Sequence, residues 1–169
     1  MYYFAYGSNM SLARLRARIP SAEPLGHHQL AQHDLRFHKV GQDGSGKCDA
    51  CFTGNPSDII HGVLFRISPH DKQTLDEIEG VGRGYEDQLI EVSNPSGITT
   101  SAHTYIATHT SALIKPFSWY VNHVLIGALE QRLPSSYVTA KIKTITTVED
   151  PDRERDNHQR AIHRAAAIG

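Results

Sequence analysis

Cysteine, methionine and tryptophan are scarce in this chain, at two, two and one among 169 residues. Two cysteines cannot make a disulfide framework, but a chain of this length buries a sufficient core without staples. An excess of charge of either sign is missing too. Seventeen basic residues against eighteen acidic ones leave a formal charge of −1, which argues against a nucleic-acid partner held by charge. Hydrophobic residues make up 39% of the chain, which excludes a disordered composition. No apolar run is long enough to span a bilayer, and no charged-then-apolar signal peptide precedes the first strand. That strand begins at residue 2, so the expectation is a cytoplasmic protein with no membrane partner. One domain over residues 1–169 is expected from the length. Nothing in the residues reads on oligomeric state.

Metal and redox sites are poorly supported. Cys48 and Cys51 form a C-x-x-C pair, which can be a redox couple or half a zinc site. The segment Cys48-Asp49-Ala50-Cys51-Phe52 reads better as a strand, where positions three apart face opposite sides. Eleven histidines are present, but none falls in an H-E-x-x-H arrangement, so each reads as surface or core rather than ligand. The run Gly41-Gln42-Asp43-Gly44-Ser45-Gly46-Lys47 matches the first part of a phosphate-binding P-loop. The next residue is Cys48 instead of Ser or Thr, and no helix follows. A flexible hairpin connection explains those glycines.

The remaining pattern predicts alternating strands and helices. Ile19 to Gly26 reads as loop, Gln29 to Val40 as a strand and Ile59 to Ile67 as another. Ser68-Pro69-His70-Asp71 is a helix start with a mechanism, Ser capping and Pro in the first turn. That helix runs through Leu75 and Ile78 and stops at Gly80, so Glu79 sits in its last turn. Tyr85 to Val92 and Ile98 to Thr108 pair as a hairpin around Asn94-Pro95-Ser96-Gly97. Pro116 opens a helix with Phe117, Tyr120, Val121, Val124, Leu125, Ala128 and Leu129 on one face. Tyr137 to Val148 is rich in Val, Thr and Ile, which favours strand. Asp150 to Ala167 reads as a charged helix with Ala161, Ile162 and Ala165 on its apolar face. The order predicts an α+β fold around a curved sheet or small barrel.

The functional signal lies at the N-terminus. Tyr2, Tyr3, Phe4, Ala5 and Tyr6 have the composition of a buried strand, broken by Gly7-Ser8-Asn9 before a helix at Ser11 to Arg16. Glycine there allows φ > 0 or close approach to a ligand. Free N–H groups at a helix opening suit an anion or a developing oxyanion, and Ser8 and Asn9 add a hydroxyl and an amide. An ordinary capped turn has the same composition.

Tyr6-Gly7-Ser8-Asn9 after an aromatic strand resembles the gamma-glutamylcyclotransferase superfamily. So do Leu75-Asp76-Glu77-Ile78-Glu79-Gly80 and the following Gly84-Tyr85. The likeness runs from about Tyr2 to Tyr105 and includes Leu30 to Phe37 and His61 to Ile67. It is weak beyond Pro116, and residues 132–169 are the least well placed by it. It implies a compact mixed β-barrel flanked by helices, and a short helix near Tyr137 to Val148 where local propensity favours strand. It also implies a small-molecule gamma-glutamyl substrate, with no metal or cofactor.

The reaction implied is an intramolecular one: the substrate's α-amine attacks its own side-chain carbonyl, giving 5-oxoproline and a free amine. The resemblance makes Glu79 the catalytic acid/base and has Tyr3, Phe4, Ala5, Tyr6, Gly7 and Ser8 lining the pocket. Asn9 belongs to the same cradle, Tyr105 contacts the substrate and Tyr85 is a lining residue. A glutamate with a pKa of about 4.3 is a poor base for an amine near about 8, so an upward shift is expected. The helix C-terminus disfavours negative charge, and Asp76, one turn earlier, is expected to press in the same direction. Without the resemblance Glu79 reads as a solvated acid at a helix end. A deprotecting enzyme in a biosynthetic pathway and an amino-acid-binding module without turnover are the other readings of the same residues.

Overall fold

The computed structural model describes residues 1–166 of the chain. Seven strands form in order: β1 (Tyr2–Ala5), β2 (Glu23–Ala31), β3 (His33–Val40), β4 (Gly46–Phe52), β5 (Ile59–Arg66), β6 (Tyr85–Ser93) and β7 (Thr99–Ala107). Five of them close a barrel in the order β1-β5-β2-β6-β7, while β3 and β4 pair as a separate ribbon. Strand β1 runs antiparallel to β5, with Tyr3 opposite Phe65, and parallel to β7, with Tyr3 opposite His103. The sheet is therefore mixed, and the expected α+β barrel flanked by helices is what forms.

Five helices accompany it: α1 (Leu12–Arg16), α2 (Pro69–Glu79), α3 (Ser118–Glu130), α4 (Ser135–Val138) and α5 (Arg153–Ala166). Helix α2 starts and stops where its residues dictate. The Ser68 hydroxyl accepts from the Asp71 N–H at 3.0 Å, Pro69 opens the first turn, and Gly80 closes it in the left-handed region at φ 71°. The core is continuous from Phe4, Met10 and Leu15 through Val63 and Phe65 to Val124 and Ile142, all at most 0% exposed. Burying each such side chain contributes about 1.5–3 kcal/mol.

Several expectations need correction. Strand β2 begins at Glu23, inside the segment read as loop, and its pairing with β5 slips between Pro24 and Gly26. The strand read over Gln29 to Val40 is two, split at Gln32, which has φ 61°. Helix α3 starts at Ser118 because Phe117 remains extended, and Leu129 is solvent-exposed instead of on the buried face. Residues 135–143, which the sequence leaves open between strand and helix, are helical as the resemblance implies, α4 passing into a π-helical turn at Thr139–Lys143. Burial of Tyr137, Val138 and Ile142 overrides the strand propensity of that run. Helix α5 starts at Arg153 and not at Asp150, Ala161 is exposed although expected on its apolar face, and Ala167 lies outside the described residues.

Asp150 docks α5. Its buried carboxylate accepts from Trp119 Nε1 of α3 at 2.8 Å and from Arg155 of α5 through Nε at 2.6 Å. Hydrogen bonds from Arg155 first, then from Trp119 and the Asp152 amide, hold its pKa down to about 2. A depressed acid contributes stability that is complete above its ordinary pKa and is lost as pH falls through the folded one. The melting temperature should accordingly fall as pH drops from about 4 towards 2. The Asp150→Asn variant should start lower and show a shallower fall over that window in a thermal melt.

Candidate active site

The bend after β1 is a short 3-10 turn, Ser8–Met10, that leads into α1. Met10 and Ser11 spend their N–H groups on Gly7 and Ser8 carbonyls, whereas those of Gly7, Ser8 and Asn9 donate to no backbone carbonyl among the described residues. Gly7 has φ −114°, so positive φ is not why glycine stands there. A Cβ at Gly7 would lie 3.0 Å from Cys48 Cβ and 3.3 Å from the Tyr120 hydroxyl. Close approach is the reason. From behind, Gly127 of α3 rests directly on the Met10 and Ser11 backbone.

Glu79 reaches this bend from the last residue of α2. Asn9 Nδ2 donates to Glu79 Oε1 at 3.0 Å and to the Tyr3 hydroxyl at 3.0 Å. Arg18, just beyond α1, donates through Nη1 to the same Oε1 at 2.8 Å and to Asn9 Oδ1 at 3.1 Å. Every hydrogen bond that the carboxylate accepts among the described residues falls on Oε1, which leaves Oε2 for a ligand. Asp76, one turn before Glu79, is engaged by partners of its own. Its carboxylate takes the Tyr105 hydroxyl at 2.7 Å and an ion pair from Lys72, which also bonds Asp87 at 2.9 Å. Arg18 sets a positive charge against Glu79, at the helix end that disfavours the carboxylate.

One hollow of about 310 Å³, including space open to solvent, joins these groups. Tyr3, Tyr6, Gly7, Ser8 and Asn9 line it from the N-terminal segment, and Glu79, Tyr85 and Tyr105 line it from the rest of the chain. Phe4 and Ala5 do not. Phe4 points to the opposite face of β1 from Tyr3, against Gly62, and Ala5 is 1% exposed in the core. The expectation that the whole run Tyr3 to Ser8 lines the hollow is corrected to Tyr3, Tyr6, Gly7 and Ser8.

Two lining residues, Cys48 and Tyr120, escaped the sequence reading. Burial pushes the Cys48 thiol up to about 12, so it offers no thiolate nucleophile at neutral pH. Burial likewise raises the hydroxyls of Tyr3, Tyr6, Tyr85, Tyr105 and Tyr120, which stay neutral. Tyr85 donates to the Cys48 carbonyl at 2.6 Å, Tyr6 donates to the Tyr105 carbonyl, and Tyr120 accepts from the Cys48 N–H at 2.9 Å. These rings form fixed walls. Glu79 is the carboxylate among them. Cys51 is half-buried and Cys48 buried, and neither forms a disulfide.

Residues 59–140 match the AIG2-like family. The chain is 32% identical over 148 residues to a mouse gamma-glutamylcyclotransferase, spanning 85% of this chain and 77% of that protein. The chain belongs to the gamma-glutamylcyclotransferase family. The human gamma-glutamylcyclotransferase is 31% identical over a stretch of the same length. A solved gamma-glutamyl cyclotransferase superposes with a TM-score of 0.83 at 26% identity, covering 95% of this chain and 98% of that one. The structural likeness of the family thus includes the C-terminal third, where the sequence resemblance is weak. No helix among the described residues is long and apolar enough to cross a membrane.

Proposed function

We propose that this chain is a gamma-glutamyl cyclotransferase in which Glu79 moves the protons and the Tyr6–Asn9 turn holds the glutamyl half. The observation that carries this is the placement of the Glu79 carboxylate, one oxygen tied to Asn9 and Arg18, in the hollow shared with that turn. A gamma-glutamyl amide bound there is curled so that its α-nitrogen meets its own side-chain carbonyl, and ring closure gains from that proximity. Glu79 takes a proton from the α-ammonium through its free oxygen. The nitrogen then forms the new C–N bond, and the amides of Gly7, Ser8 and Asn9 are available to the carbonyl oxygen as it becomes negative.

Collapse of the tetrahedral centre breaks the original C–N bond as Glu79 returns its proton to the departing nitrogen. The α-nitrogen loses two protons in all. One ends on the amine through Glu79, and the second protonates the free amine in solution. No water is consumed. Asn9 and Arg18 keep the carboxylate aimed, and Tyr3, Tyr85 and Tyr105 shape the walls. The proposed setting is the cytoplasm, which suits two free cysteines.

The test is incubation with a panel of gamma-glutamyl amides, reading 5-oxoproline by mass spectrometry. Release of 5-oxoproline together with an equal amount of amine is expected. No release from any member by folded protein would turn the reading to an amino-acid-binding module.

A further inference from the structure

The hollow at Glu79 continues outward. Ser8, Glu79, Tyr85 and Tyr120 also line a second hollow, whose wall is completed by Arg14, Arg18, Lys39 and Lys47. Four cations converge there, and two have acids. Arg18 pairs with Glu79, and Lys47 pairs with Asp43 at 2.7 Å. Arg14 and Lys39 form no ion pair among the described residues, and only the Glu79 carboxylate, with that of Asp43 for Lys39, acts on them from farther away.

Arg14 is 6% exposed, and its Nη1 donates to the neutral amide oxygen of Gln159 at 2.6 Å. Its Nε is buried without a partner. Lys39 is 7% exposed, stands 4.6 Å over the Tyr85 ring and meets no carboxylate among the described residues. Burial lowers both, Arg14 to about 10. A buried cation without a directly paired counter-charge is costly to hold, and an anion arriving from outside lowers that cost. Two such cations beside one reaction centre match two negative charges on the half of the substrate beyond the scissile amide. The glutamyl half, with its own carboxylate, is held by the Tyr6–Asn9 turn on the other side of the scissile amide.

We propose that the leaving half is an acidic α-amino acid, its two carboxylates taken by Arg14 and Lys39. The substrate class is then the gamma-glutamyl derivatives of aspartate or glutamate, ahead of those of neutral amino acids and of simple amines. This rests on the cyclotransferase reading for the direction in which the substrate lies. Gln42, which also lines the second hollow, adds a neutral donor beside the cations.

The experiment compares wild type with Lys39→Met, which keeps the length and apolar stem that lie on Tyr85. One arm measures kcat/KM for gamma-glutamyl-aspartate, gamma-glutamyl-alanine and gamma-glutamyl-ethylamide. The other titrates both proteins calorimetrically with L-aspartate and L-alanine, the leaving halves alone. For wild type we expect the order aspartate, alanine, ethylamide, with about tenfold or more between first and last, as one favourable ion pair supplies. Lys39→Met should lose about tenfold more on the aspartate substrate than on the alanine one, mainly in KM, and should bind L-aspartate less tightly. Equal values for the aspartate and alanine substrates, or an unchanged ratio in Lys39→Met, would overturn the proposal. If no substrate turns over while wild type still selects L-aspartate over L-alanine, the cyclotransferase reading fails and the dicarboxylate site stands. Loss of both turnover and selection removes both.

Discussion

Glu79→Gln loses turnover while keeping substrate. Glutamine has the same shape, and its amide oxygen can still accept from Asn9 and Arg18, as Glu79 Oε1 does at 3.0 and 2.8 Å. The hollow and the cradle should therefore survive. What is removed is a group able to take a proton from the α-ammonium and return it to the departing nitrogen. General acid–base catalysis supplies about 10²–10⁴-fold, and one residue here serves both transfers, so kcat should fall by about 10³ or more. The substrate dissociation constant should change far less than kcat, because the variant gives up the charge facing the α-ammonium but keeps the cradle. Steady-state kinetics with a calorimetric titration of the variant separates the two. A variant that keeps more than a tenth of wild-type kcat would remove Glu79 from this role, since about one power of ten is below what a dual acid/base contributes.

Gly127→Ala should damage the protein from the opposite side of the cradle. A methyl group on Gly127 would lie 2.3 Å from the Ser11 nitrogen and 2.5 Å from the Met10 carbonyl carbon. Those are backbone atoms at the junction of the 3-10 turn and α1, so no rotamer change relieves the clash. Alanine ordinarily favours a helix over glycine by about 1 kcal/mol. Here overpacking of about 3 kcal/mol outweighs that gain. For a chain of this size the net loss lowers the melting temperature by about 4–8 °C. Activity should fall by more than stability alone explains, because the displaced segment carries Ser8 and Asn9. A melting temperature equal to wild type would show that α3 does not brace the turn.

Much of the fold was legible because local signals and burial agree. Ser68, Pro69 and Gly80 bound α2 through capping chemistry that works within a few residues, and that alone places Glu79 at a helix end. The aromatic run of β1 and the hairpin of β6 and β7 were read in the same way. The failures occur where distant packing decides. Glu23 to Gly26 contains Pro and Gly and looks like a loop, yet it joins β2 through an irregular pairing with β5. Gln32 adopts a left-handed conformation that glutamine does not announce. Residues 135–143, which propensity alone leaves open, take the helical form that the resemblance implies because Tyr137, Val138 and Ile142 have a core to enter.

The site divides along the same line. The cradle and Glu79 belong to local motifs, whereas Arg18, Cys48 and Tyr120 come from segments that meet only when the barrel closes. Arg18 follows a five-residue helix without any pattern to mark it. The tie of Asp76 to Tyr105 and Lys72 depends on Tyr105 of β7 reaching α2, a contact that spacing along the helix does not show.

The central claim is that the attacking nitrogen belongs to the substrate. Turnover of a gamma-glutamyl amide in ¹⁸O-labelled water tests it in one measurement by mass spectrometry. The account predicts 5-oxoproline as the acyl product, without ¹⁸O. Glutamate carrying ¹⁸O in its side-chain carboxyl would contradict it, because water would then be the nucleophile at this site.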